Sequence, residues 1–302
     1  MNPFTLRKLE YEKIREMLAA ECSSSLGRQV AEALEPGTDS QQIHDWQQET
    51  TEGVTVRRLE PNIPLGGITD LSRQVRKAQI GGMLEPEEFL QLLDVLKACR
   101  RIAHFFLERK KTYETPRLEW CAGQLTLLPE MEREIDDIIA PEAAVRDTAS
   151  SELLTARRKI NTLKNRIKER LEHIVRSESS QKYLQDALVT IRNDRYVVPV
   201  KQEYRSHIPG IVHDQSASGA TLFIEPMAVV EMNNDLRKAY STERDEVNRI
   251  LLELSGKVTP YTEDLQYNLQ VLARIDFIFA KARLSEKMNA VEPILKTTPE
   301  LS

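Results

Sequence analysis

Apolar residues recur at steps of three and four through most of the chain, the period of helices buried along one face. Leu6, Leu9, Ile14, Met17 and Leu18 open the pattern, and Ser23, Ser24 and Ser25 offer caps for a second helix ending near Ala33. A further helical stretch covers residues 39–59, closed by Pro61 and Pro64, and another covers 68–80, closed by Gly81-Gly82. Glu85-Pro86-Glu87-Glu88 then sets proline and acids at a first helical turn, ahead of a stripe of Phe89, Leu92, Leu93, Leu96, Cys99 and Ala103. Residues 1–128 read as a helical core domain.

Beyond Leu128-Pro129 the pattern lengthens. No Gly or Pro interrupts it after Pro141 until past Leu188, and Leu153, Ala156, Ile160, Leu163, Ile167, Leu171 and Ile174 mark a coiled-coil-like seam. About 45 residues at about 1.5 Å each predict a rod on the order of 65 Å, and residues 129–186 are assigned to this ascending helix. At Ala187 the period changes to two. Runs at 188–191, 196–200, 207–212 and 221–224 are β-branched or aromatic and separated by turn chemistry, which predicts a small antiparallel sheet over 187–225. Pro199 inside its run marks an edge or a bulge. Glu225-Pro226 starts a second long helix with Val230, Asn233, Leu236, Tyr240, Val247, Leu251, Leu254 and Val258 on one face. Pro260 kinks or restarts it, and Leu265, Leu269, Leu272, Ile275, Phe279 and Ala282 continue it. Residues 226–302 are the descending partner, placed to pack antiparallel. The fold class is mainly α, a helical core plus two long antiparallel helices carrying a β-rich insert.

Charge sharpens this picture locally. The formal net charge of −5 excludes no partner, because nucleic-acid binding depends on where the basic groups lie. Residues 153–176 hold eight basic side chains against two acidic ones. Arg158, Arg166 and Arg170 lie on the flank of that helix, a stripe suited to phosphates and equally to a solvated coiled-coil flank. The insert adds Arg192, Arg195, Lys201 and Arg205, together with a small, polar loop at 214–220 whose hydroxyls and N–H groups suit phosphate, or which is simply mobile. The three cysteines, Cys22, Cys99 and Cys121, are far apart and suit a reducing compartment. No apolar run approaches the roughly 20 residues that span a bilayer, so a cytoplasmic protein without membrane partners is expected.

Catalytic motifs are missing. The sequence has no GxxxxGK[ST] loop, HExxH, GxSxG or CxxC, and Gly66-Gly67 and Gly81-Gly82 read as helix terminators. His207 and His213 lack the carboxylates of a metal site and read as structural or exposed. The acids from Glu130 to Asp137 fan around a helix as a solvated face. No catalytic, cofactor or metal residue is assigned.

Two segments are specific. IRNDRYVVPVK at 191–201 and GIVHDQSASGATLFIEP at 210–226 resemble the second bacterial branch of the MutS family, MutS-two. PLGGI at 64–68, GML at 82–84 and IDFIFAKARL at 275–284 extend the likeness over essentially the whole chain. The resemblance implies that residues 1–128 are the core, the long helices a lever, and 187–225 a clamp that closes on nucleic acid. In the family an ATPase domain using ATP and Mg follows, and then a nuclease-type Smr domain; the chain stops at Pro299-Glu300-Leu301-Ser302, about where the ATPase is expected, and so reads as an excised portion that is not itself an enzyme. This branch lacks the mismatch-reading domain with its Phe-x-Glu motif, and Phe106-Leu107-Glu108 and Phe223-Ile224-Glu225 match that tripeptide by chance. The implied parent is a homodimer that suppresses DNA recombination by binding branched or duplex DNA, or binds ribosomal RNA and splits collided ribosomes. The expected phosphate contacts are Arg192, Arg195, Lys201 and Arg205 in the clamp and Arg158, Arg166 and Arg170 on the lever. The rival expectation is a mechanical or dimerising arm whose clamps meet each other, with nucleic acid bound elsewhere.

Overall fold

The computed structural model describes residues 3–60, 62–109 and 114–295. In chain order its first helices are α1 (Pro3–Lys8), α2 (Tyr11–Ala20), α3 (Ser25–Glu32), α4 (Ser40–Leu59), α5 (Ser72–Gln79), α6 (Pro86–Arg109), α7 (Pro116–Gly123) and α8 (Pro129–Ile138). Strands β1 (Ile139–Ala140) and β2 (Ala144–Val145) lead to α9 (Ser151–Arg176) and α10 (Glu178–Gln181). Strands β3 (Thr190–Arg192), β4 (Arg195–Lys201), β5 (Gly210–Gln215) and β6 (Thr221–Pro226) precede α11 (Val230–Val258) and α12 (Thr262–Lys287). The fold is mainly α, as the periodicity predicts, with its strands in two small antiparallel sheets. The chain divides into two compact units, one of Met1–Ala144 with Leu251–Ser302 and one of Val145–Ile250.

The first unit is built around α12. Its predicted stripe of Leu265, Leu269, Leu272, Ile275, Phe279 and Ala282 is buried, but so are Val271, Ala273, Ile278 and Ala280. A helix apolar on all sides is a core helix, and α12 packs against α2, α3, α4, α5 and α7. Of the two outcomes expected at Pro260, a kink or a restart, the structure has the restart: α11 ends in a tight turn at Thr259–Tyr261, where Pro260 removes a backbone donor, and α12 begins anew at this unit's centre. Buried polar groups are partnered. Asp276 accepts from the backbone N–H groups of Ser23 and Ser24 at 2.9 and 2.8 Å, and Ser24 in turn caps α3 through Gly27. Glu52 accepts from the Arg117 and Leu118 N–H groups at the start of α7, although burial raises its pKa. Leu9, Ile14 and Met17 are exposed, leaving Leu18 and Ala19 to anchor α2. The acids of α8 are not simply solvated, because Glu132 is buried against Arg100 and Glu134 pairs with Lys257. Pro61 lies outside the described residues.

The second unit is built on α9. Ser150 caps it, its Oγ accepting from the Leu153 N–H at 3.0 Å. The helix holds 26 residues, about 39 Å at 1.5 Å per residue, and not the span from 141 to 188. Ala143 takes a left-handed φ of 57°, which no α-helix continues, and Ser177 is extended. The buried stripe runs from Leu153 through Leu171 as predicted and then ends on Val175, with Ile174 only half-buried. A straight helix of 3.6 residues per turn drifts off a strict heptad in this way. Along it runs α11, antiparallel: Ser150 bonds Glu246, Arg157 pairs with Glu243, and Lys164 lies over the Tyr240 ring. Asn233, Leu236 and Ala239 fill the α11 face, while Tyr240, predicted for the seam, is 40% exposed.

The four-stranded sheet has the order β3-β4-β6-β5. Asn193 and Asp194, with φ of 51° and 60°, make the two-residue turn that pairs Arg192 with Arg195. Pro199 sits in an inner strand, not at an edge or bulge; it lies past the last β3 partner, Val197, where a donor on that side is not needed. The irregularity falls instead in β5, between Val212 and Asp214. Val198, Val200, Leu222 and Ile224 form one sheet face and share a core with Ile160, Leu163, Ile167 and Leu171 of α9.

Candidate nucleic-acid interface

The buried stripe of α9 fixes what its other side presents. Arg158 is exposed opposite the buried stripe and Arg166 and Arg170 are exposed on one flank of it, and none makes an ion pair among the described residues. Steps of eight and four residues set them about 12 and 6 Å apart along the axis. Lys159 and Lys168 are likewise exposed and unpaired, on opposite flanks of the helix. The remaining cations of the stripe are engaged: Arg157 with Glu243 and Asp147, Arg176 with Glu172, and Lys164 with Tyr240, a contact that raises the lysine pKa.

The four basic residues of the sheet separate into different roles. Arg205 is exposed on the turn Gln202–His207 and makes no ion pair among the described residues. Lys201 is half-buried, its Nζ 3.5 Å from the Lys182 carbonyl. Arg192, 39% exposed, pairs with Asp214 at 3.2 Å and stacks its guanidinium 4.2 Å from the Phe223 ring centroid. Arg195 is only 15% exposed; it donates to Glu225 at 2.9 Å and to Asn234 at 2.7 Å.

Glu225 is the hub that the sequence did not reveal. Wholly buried, it meets Arg195, His213 Nε2 at 2.6 Å and Asn233 Nδ2 at 2.7 Å. Asn233 also bonds both backbone groups of Tyr196, so one cluster joins β4, β5, β6 and α11. A polar residue at a seam position, Asn233, is the one signal of this cluster in the sequence. His213 is thereby structural, and His207 stacks on Tyr183 at 4.4 Å. In the loop after β5, Ser216 Oγ accepts from the Thr221 N–H and Gln215 donates to the Gly219 carbonyl, so part of its polar chemistry is turned inward.

No family model matches the chain. It is 45% identical over all 302 residues to Endonuclease MutS2 of Alkaliphilus oremlandii, covering 100% of this chain and 38% of that protein. It is 50% identical over 296 residues to Endonuclease MutS2 of Pelotomaculum thermopropionicum, covering 98% of this chain and again 38% of the relative. The chain belongs to the MutS2 family. It spans 38% of the length of these relatives.

The glycine pairs Gly66-Gly67 and Gly81-Gly82 lie at turns. Gly81 and Gly82 close α5, donating to the Ala78 and Lys77 carbonyls, and Gly67 turns the chain with a φ of 81°. None of these glycines joins a strand to a helix. No group of three or more His, Cys, Asp or Glu able to hold a metal occurs among the described residues. Among them, too, no helix is long and apolar enough to cross a membrane.

Proposed function

We propose that the second unit of this MutS2 chain binds branched or duplex nucleic acid by shape and phosphate charge, through the outer face of α9 with Lys201 and Arg205 of the sheet region. The observation that carries the reading is the set of exposed, unpaired guanidinium groups of Arg158, Arg166 and Arg170, which run from the outer side of α9 round one flank. Unpaired surface cations release condensed counterions when they meet phosphates, which gives affinity without base reading. Arg192 joins them by exchanging Asp214 for a phosphate. Arg195 acts through position, holding the β3–β4 hairpin against Glu225.

For the whole protein we propose ATP-driven opening and closing, with ATP and Mg held outside the residues described, and the nuclease activity that the relatives' name states. Its targets are branched DNA, where closure suppresses recombination, or ribosomal RNA on collided ribosomes, gripped by a homodimer in the cytoplasm.

Sedimentation of the 302-residue chain with and without a three-way DNA junction tests the binding reading. A junction complex that forms at low salt and dissociates at high salt is expected. A chain that dimerises and ignores DNA would instead make this unit a mechanical arm.

A further inference from the structure

On the flank of the helix pair opposite Lys159, a cleft of about 730 Å³ opens between the β3–β4 hairpin and α11. Tyr196 and Leu236 form its apolar floor, and Tyr240 stands in its wall with 40% of its surface exposed. Lys164 Nζ lies 5.3 Å from the Tyr240 ring centroid, so a cation already sits against this aromatic group. Arg237, Arg244 and Asp194 stand at the rim, all exposed and none with an ion pair among the described residues.

This combination is selective. A volume of several hundred Å³ with an apolar floor and a few convergent polar groups fits one small organic ligand. A part-exposed aromatic ring beside unpaired guanidinium groups favours a flat base attached to a phosphate. Asp194 supplies an acceptor for an exocyclic amine or a sugar hydroxyl. Glu243, which also lines the cleft, is paired with Arg157, and this leaves Arg237 and Arg244 against Asp194, an excess of positive charge that complements a phosphodiester.

From this we infer that the cleft receives an unpaired nucleotide of the bound nucleic acid, its base against Tyr240 and its phosphates on Arg237 and Arg244. The inference rests on the nucleic-acid-binding reading and deepens it: duplex arms lie along α9, and the cleft takes a nucleotide left unpaired where arms meet. Preference for branched over continuous duplex then has a physical source, because a perfectly paired helix offers no base to insert.

The test compares two three-way junctions equal in length and charge, one fully paired and one with two unpaired nucleotides at the branch, each made in DNA and in RNA. One unpaired nucleotide is 2-aminopurine. The 302-residue chain is expected to bind the gapped junction roughly tenfold more tightly, the effect of stacking one base, and to quench the 2-aminopurine; the arm that shows this identifies the sugar. Tyr240→Ala is expected to abolish preference and quenching while leaving the fully paired junction bound as before, and Tyr240→Trp to restore both. Arg237→Ala/Arg244→Ala lowers affinity for the gapped junction alone. Equal binding of both junctions, unchanged by Tyr240→Ala, overturns the cleft assignment and leaves the phosphate-binding reading standing; failure to bind either junction overturns both. Competition by poly-glutamate but not by a single-stranded oligonucleotide would make the occupant an acidic peptide, and a Tyr240-dependent dimer without junction preference would make it a second copy, each against the inference.

Discussion

The carboxylate of Glu225, with no exposed surface, holds the guanidinium of Arg195 at 2.9 Å. Removing one partner of a buried ion pair leaves the other charge without compensation, at a cost of about 3–5 kcal/mol. Arg195→Ala should therefore lower the stability of the second unit by about that amount in urea unfolding. Arg205→Ala, at an exposed and unpaired side chain, should change it by less than about 0.5 kcal/mol. Equal effects from the two substitutions would show that Arg195 does not fasten the hairpin.

Ile167 is wholly buried in the centre of the α9 stripe, between the exposed Arg166 and Lys168. Ile167→Ala should cost about 2–5 kcal/mol, the range for truncating a core aliphatic chain. Arg166→Ala should again stay within about 0.5 kcal/mol. Chemical denaturation of the two variants separates the faces of the helix; comparable destabilisation would mean that the outer face is covered.

Lys281 in the first unit carries an ammonium 3.2 Å from the Trp46 carbonyl and 3.7 Å from Glu49, with its side chain only 16% exposed. Burial pushes its pKa from 10.5 down to about 8. Below pH 8 both folded and unfolded chains hold the proton and the burial penalty is complete. From about 8 to 10.5 the folded chain has released it and the unfolded chain has not, so stability rises with pH across that window. The rise is lost in Lys281→Met, and the difference between the two proteins isolates it from other lysines. That difference should grow by up to about 3 kcal/mol at 1.36 kcal/mol per unit. A flat difference from pH 8 to 10.5 would contradict the burial of a charged amine.

Much of this architecture is legible in the chain because periodicity reports burial directly. The stripe from Leu153 to Leu171, the switch to strand spacing near Ala187 and the turn at Asn193-Asp194 each follow from local rules. The failures share one cause, which is tertiary context. Absence of Gly and Pro does not keep residues 141–150 helical, because Ala143 takes a left-handed backbone and Ser150 restarts the helix as a cap. Nothing local distinguishes α12 as a core helix, since its apolar stripe reads the same on a lever.

The candidate interface divides in the same way. Helical spacing alone places Arg158, Arg166 and Arg170 outside the buried stripe, on the outer side and flank of α9. Arg195 has the same composition signal, but its role is set by Glu225, 30 residues onward and brought near only by strand pairing.

The most direct measurement is the salt dependence of duplex DNA binding by the Arg158→Ala/Arg166→Ala/Arg170→Ala chain against the unaltered one, by filter binding from low to physiological salt. If these guanidinium groups lie on phosphates, affinity falls and the slope of log K against log salt becomes shallower by about 0.9 for each phosphate that is no longer neutralised. A folded variant with unchanged affinity and unchanged slope would contradict the assignment of nucleic-acid binding to this face of α9.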